Sequence, residues 1–167
     1  MANGLYQAEG IILNSYDSGE VDKVLTVFTQ EFGMLKFLAR GTRKHTSKLN
    51  KFLNIFSYGR FGFVSGRGTW HLVDAQDIGH FDEILNEEEK IHTFGRVSNF
   101  VQRFCHGEEK NEKLWAALLF FIKSGDELVF YARALASLGY LDEKEIESSS
   151  RENLAEIIKE GIASSQL

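Results

Sequence analysis

The sequence predicts an α+β protein in which a five-stranded β-barrel, residues 1–81, precedes an all-α helical domain, residues 82–167. Three observations carry this expectation. From Leu5 to about Phe81, short apolar or alternating runs rich in β-branched and aromatic residues are broken by glycines, as half-buried strands are. From Ile91 onward the apolar period lengthens to three or four residues, the spacing of one face of an amphipathic helix. Glycines punctuate both halves where the chain must turn.

Residues 6–16, 22–30 and 33–40 read as a three-stranded meander. The reversals between them fall at Asp17-Ser18-Gly19 and Glu31-Phe32-Gly33, residue types that tolerate tight turns. Two longer runs, 53–65 and 69–79, are joined by Ser65-Gly66-Arg67-Gly68, whose glycines supply the positive φ a hairpin wants. Five antiparallel strands of this length are expected to close on themselves, which removes exposed sheet edges. Ile91, Phe94, Val97, Val101 and Phe104 then mark a first helix. Leu114, Trp115, Leu118, Leu119 and Ile122 mark a second; Leu128, Ala132, Leu135 and Leu138 mark a third. Gly107 and Gly125 sit at the joints and Gly139 fits the end of the third helix. Asp142 to Glu147 with Ser148-Ser149-Ser150 read as a polar link, and Arg151 to Ala163 as a last, weaker helix.

Composition narrows the function classes. The 167 residues are 43% hydrophobic and 26% charged, ordinary values for a folded soluble chain. The formal net charge of -5 hides an asymmetry, because residues 1–72 hold nine Lys/Arg against five Asp/Glu while residues 73–167 hold ten against nineteen. One end is suited to anions and the other is not. The single Cys105 excludes an internal disulfide framework and a Cys-based zinc set within one chain, which fits a reducing compartment. With no secretory leader and no membrane-length apolar run in the sequence, a cytoplasmic protein with no membrane partner is expected.

The strongest local signal is the run from Gly33 to Lys51, GMLKFLARGTRKHTSKLNK. It holds Lys36, Arg40, Arg43, Lys44, Lys48 and Lys51 and no acid. A cluster of cations is most often only a solvated surface. This one follows a strand of the expected barrel, and barrels of the oligonucleotide-binding type use strand faces and inter-strand loops to track a phosphate backbone. Aromatic rings are the other ingredient of single-strand binding. Phe61 and Phe63 alternate as sheet core does, which leaves Tyr58 and Trp70, with their polar edges, as the stacking candidates.

Catalytic signals are thin. The glycine-rich stretch from Gly59 to Gly68 matches neither phosphate-binding fingerprint and reads as a hairpin with Arg67 on its tip. Asp17, Glu20 and Asp22 lack the ligand spacing of a cation loop. His45, His71, His80, His92 and His106 form no metal-binding pair, and no nucleophile elbow occurs. No enzyme, catalytic residue, metal site or cofactor is therefore expected.

Taken in order, the motifs are similar to those of the RecO family of bacterial recombination mediators and DNA repair proteins. Glu9-Gly10-Ile11-Ile12-Leu13 resembles that family's first strand, and the segment from Glu20 to Thr29 its second. Gly33-Met34-Leu35, continuing through Ala39-Arg40-Gly41-Thr42-Arg43-Lys44-His45-Thr46-Ser47-Lys48-Leu49, resembles the family's basic segment. The segment from Gly66 to Leu72 and Leu138-Gly139-Tyr140 match further landmarks. The resemblance implies an N-terminal OB-fold followed by a helical domain, binding of single- and double-stranded DNA, strand annealing and recombinase loading. It also implies RecR, RecA and the single-stranded-DNA-binding protein as partners. Carried over position by position, Arg40, Arg43, Lys44 and Lys48 are the DNA-contacting candidates. Lys23, Lys51 and Arg67 extend the set by charge and loop position alone. Relatives commonly carry a cysteine-rich zinc element beyond the Leu-Gly-Tyr landmark, so this chain reads as a short form without one. The helical part of the family also receives the acidic, apolar tail of the single-stranded-DNA-binding protein. Val129 stands where some relatives offer Arg, with Arg133 one turn away.

Two rival readings stay open on composition: an OB-fold that binds RNA, and a protein adaptor whose acidic helical half docks a partner.

Overall fold

The computed structural model describes residues 4–79 and 87–165. His80, Phe81 and the expected division at 81/82 lie outside them. The described chain forms two compact units, residues 1–110 and 111–167.

The first unit is built on strands β1 (Leu5–Ser18), β2 (Asp22–Thr29), β3 (Gly33–Ala39), β4 (Tyr58–Ser65) and β5 (Trp70–Gly79). They close into a barrel in the order β1-β2-β3-β5-β4. Four pairings are antiparallel, whereas β3 and β5 run parallel, with Phe37 opposite Trp70 and Leu38 opposite His71. The expectation of five antiparallel strands is thus corrected at the closing seam: β4 lies between β1 and β5, so β5 returns to β3 in the same direction. Helix α1 (Glu88–Phe104) belongs to this unit.

Alternation drives the barrel. Ala8 and Ile12 on β1, Leu25 and Val27 on β2, Leu35 and Phe37 on β3, and Phe61 and Phe63 on β4 all point inward and are buried. Phe37 and Phe63 meet at 4.8 Å between ring centres. Burying each such side chain contributes about 1.5–3 kcal/mol. Thr29 stabilises the β2–β3 turn: its hydroxyl donates to the Gly33 carbonyl at 2.9 Å and accepts from the Phe32 amide at 3.1 Å. Gly33 is required there on two counts. Its φ is +67°, and a Cβ would come within 2.3 Å of the Glu109 carbonyl oxygen.

The fourth run is shorter than its sequence suggests. Residues 53–57 are not strand, and a 3-10 turn, Asn50–Phe52, precedes them. Phe56 adopts a positive φ of 69°, its amide donating to the Ile12 carbonyl at 2.7 Å. Its ring lies 4.6 Å from that of Phe94 on α1. Burial of an aromatic ring outweighs the roughly 1–3 kcal/mol of such a backbone conformation. The register shift of β1 between Ile12 and Asn14 falls at the same place.

The second unit contains α2 (Glu112–Ser124), α3 (Glu127–Ser137), α4 (Glu143–Ser148) and α5 (Arg151–Ser165). Asn111 and Asp126 cap α2 and α3 by accepting from the Leu114 and Val129 amides. The expected polar link is instead the short helix α4, because Asp142 accepts from the Lys144 amide and so caps one turn. Leu114, Leu118, Phe121, Ile122, Phe130 and Leu135 form the buried faces of α2 and α3.

Candidate nucleic-acid interface

The basic loop leaves β3 at Arg40 and is held by contacts to the β1–β2 turn. The Gly41 amide donates to Asp22 Oδ1 at 2.7 Å, and the Arg43 amide to the Val21 carbonyl at 3.0 Å. Arg43 Nη1 donates to the Gly19 carbonyl at 3.1 Å, and Nη2 lies 3.4 Å from Asp17 Oδ2. Thr42, fully buried, donates its hydroxyl to the Ala39 carbonyl. Two of the acids that sequence inspection weighed for a cation, Asp17 and Asp22, thus fasten the loop.

With the loop fixed, its cations are displayed. Arg40, Lys44, Lys48 and Lys51 are exposed, and Lys51 Nζ lies 4.7 Å from the Phe52 ring centre. Lys23 is half-buried and reaches Asn50 Oδ1 at 3.4 Å. Its register partner Ala39 belongs to the inward-facing row, so Lys23 sits at the barrel rim. Arg67 is exposed at the β4–β5 hairpin, followed by Gly68 at φ +75°. The register of β3 against β5 sets that hairpin beside the Leu35–Lys36 part of β3, away from the loop at Arg40. The expected residues therefore fall into two groups, one at each edge of the β2–β3 face.

Two residues on the outward face between those groups were passed over as sites from sequence. Lys36 is exposed and alternates with buried Leu35 and Phe37. Tyr16 is 52% exposed and lies in register with Val24, itself in register with Leu38. The signal for both was the strand period: in β3, Lys36 and Leu38 share one face and Leu35 and Phe37 the other.

The expected stacking rings are committed elsewhere. Trp70 is half-buried, set edge-on to Phe63 at 5.3 Å and to Tyr6 at 5.4 Å, and its indole N–H donates to Glu108 Oε1 at 2.7 Å. Tyr58 donates to Glu9 Oε2 at 2.8 Å. Burial, then the bond to Glu9, pushes its phenol up to about 12. Arg60 completes this cluster at 3.1 Å from Glu9.

A five-stranded barrel closed by a parallel β3–β5 pairing, with a cationic loop fixed against the β1–β2 turn, is of the oligonucleotide-binding class. Residues 1–80 match the family model described as "Recombination protein O N terminal". The chain is 30% identical over 113 residues to the DNA repair protein RecO of Halalkalibacterium halodurans, covering 68% of this chain and 44% of that one. It is 31% identical over 143 residues to that of Pelotomaculum thermopropionicum, covering 81% and 56%. To that of Nostoc sp. it is 29% identical over 116 residues, covering 70% and 39%. Through residues 1–80 the chain is related to the RecO family. It spans about half the length of these relatives.

Proposed function

We infer that the chain binds DNA through the outward β2–β3 face and its two cationic edges, as a non-catalytic DNA repair mediator. Residues 1–81 serve as the nucleic-acid-binding domain; of the helical part, 82–167, α1 packs within the barrel unit and α2 to α5 form the second unit. The observation that carries this reading is the basic loop itself: a run of six cations without an acid, on a chain of net charge -5, pinned beside the β1–β2 turn. The mechanism is phosphate neutralisation. Cations along one face lower the repulsion between two strands, so that complementary bases can pair and anneal. The names of the relatives support DNA over RNA.

Salt titration of affinity tests it. The wild type binds single- and double-stranded DNA with a steep salt dependence, and replacing Arg43, Lys44 and Lys48 by Ala weakens binding and flattens the slope. Unchanged affinity and slope would make the reading wrong. Tighter binding to RNA than to DNA of one sequence would favour the RNA rival.

A groove in the helical unit supports a second, protein-directed reading. It spans about 490 Å³ between apolar Ala116, Val129, Ala132 and Ile146, with Lys113, Arg133, Glu143 and Glu147 at its lining. Arg133 is exposed and lies 4.3 Å over the Phe120 ring; Lys113 pairs with Glu143. Apolar walls with a cation suit a short acidic, apolar peptide such as the tail of the single-stranded-DNA-binding protein, and hence recombinase loading with RecA and RecR. Binding of that tail peptide, lost in Arg133→Glu and retained in the triple Ala variant of the basic loop, is the expected result.

A further inference from the structure

We propose that Tyr16 is a base-stacking platform that gives the cationic face its preference for unpaired strands. The proposal rests on the DNA reading above and adds a residue, a contact type and a specificity to it.

Tyr16 stands out among the exposed apolar residues of the first unit. On β1 it pairs with Val24 and through it with Leu38, so one row across three strands presents a ring and two half-buried apolar side chains to solvent. Among the described residues its ring has no aromatic or side-chain hydrogen-bond partner, unlike Trp70, Tyr58 and Tyr6. An exposed phenol on a sheet surface holds large apolar area at low conformational cost and keeps its hydroxyl in water.

The surroundings define the occupant. Leu38 lies about 10 Å from Tyr16 across two strand spacings, and Lys36 and Arg40 flank it on the same outward face of β3 and its exit. Cations on one side and an unoccupied ring on the other match a single nucleic-acid strand, whose phosphates and bases lie on opposite sides of the sugar. A duplex has its bases stacked and paired inside, so it engages the cations without engaging the ring. A docked protein helix would prefer apolar neighbours over flanking Lys and Arg. Charge and ring together therefore favour single-stranded DNA as the occupant, with phosphates along β3 and a base over the Tyr16, Val24 and Leu38 row.

The test compares three ligands on the full chain: a thymine oligonucleotide, a duplex of equal length, and an abasic oligonucleotide of equal charge. Tyr16→Ala is expected to weaken binding of the thymine strand about tenfold, the order of one lost base stack, and to leave duplex and abasic affinities unchanged. Tyr16→Phe and Tyr16→Trp are expected to retain thymine-strand binding, since the ring carries the contact. Equal thymine-strand affinity in the wild type and Tyr16→Ala overturns the proposal while leaving the cationic face intact. Equal weakening on all three ligands also overturns it, because the residue would then act on the fold or the charge. Failure of the wild type to bind any of the three overturns the DNA reading, and this proposal with it.

Discussion

Arg43 Nη2 lies 3.4 Å from Asp17 Oδ2, so one cation of the basic loop is partly neutralised by the turn it fastens. The same guanidinium holds the Gly19 carbonyl. Arg43 thereby orders the loop on which Lys44 and Lys48 are displayed. Asp17→Asn should free its charge, and DNA affinity should rise about twofold or more at low salt, the gain vanishing at high salt where surface charges are screened. Unaltered affinity at low salt would show that the pair does not restrain Arg43.

Lys36 and Arg40 are expected to act as phosphate contacts. Each Ala substitution should lower the salt slope for single strands by about 0.7, with similar losses on unrelated sequences. A sequence-dependent loss would point to base readout in place of neutralisation.

Gly33→Ala should be costly. The added methyl meets the Glu109 backbone, which cannot step aside as a flexible side chain would, and the positive φ adds strain. The expected loss is about 2 kcal/mol or more, read as a lower denaturant midpoint, against near neutrality for Gly19→Ala apart from its own backbone strain. Equal midpoints for the two variants would contradict the close approach.

Acid should weaken the second unit through Asp126. Arg151 binds this carboxylate through two nitrogens, at 2.9 and 3.2 Å, and holds it below its usual range. A carboxyl depressed in the folded state takes up its proton less readily there than when unfolded. Its stabilising effect is therefore complete above the ordinary carboxylate pKa and drains away as pH falls through the lowered value. Arg151→Ala should melt below the wild type at neutral pH, and the gap should close as pH is taken from about 5 toward 2. A gap independent of pH would assign the effect to packing of the arginine stem.

Most of the architecture was legible from periodicity, because a buried face imposes its own repeat. Phe61 and Phe63 alternate into the core, and Phe94, Val97 and Val101 follow the helical spacing. What was not legible depended on contacts distant in sequence. Phe56 belongs to an apolar run that continues the β4 pattern, yet its ring is claimed by Phe94 and its amide by Ile12, so the strand starts later. The parallel meeting of Phe37 and Trp70 arises only once the barrel closes. Trp70 and Tyr58 looked suited to stacking by side-chain type, and their partners Phe63 and Glu9 lie on other parts of the chain. Within the basic run, residue type marked the cations, but only the barrel distinguishes displayed Lys44 from Arg43, which also fastens the loop.

The β3–β5 seam has two registered pairs, whereas the other four ladders of the barrel have seven or eight. Closure there is the least redundant join in the first unit. Opening it leaves β5 attached to β4, and β4 to β1, so the sheet can uncurl without dissolving. Those amides among Phe37, Leu38, Trp70 and His71 that point across the seam should accordingly surrender hydrogen-exchange protection before those of β2. A polyanion bridging Lys36 on one side of that join and Arg67 on the other would act as an external stitch, slowing exchange at a seam it need not touch.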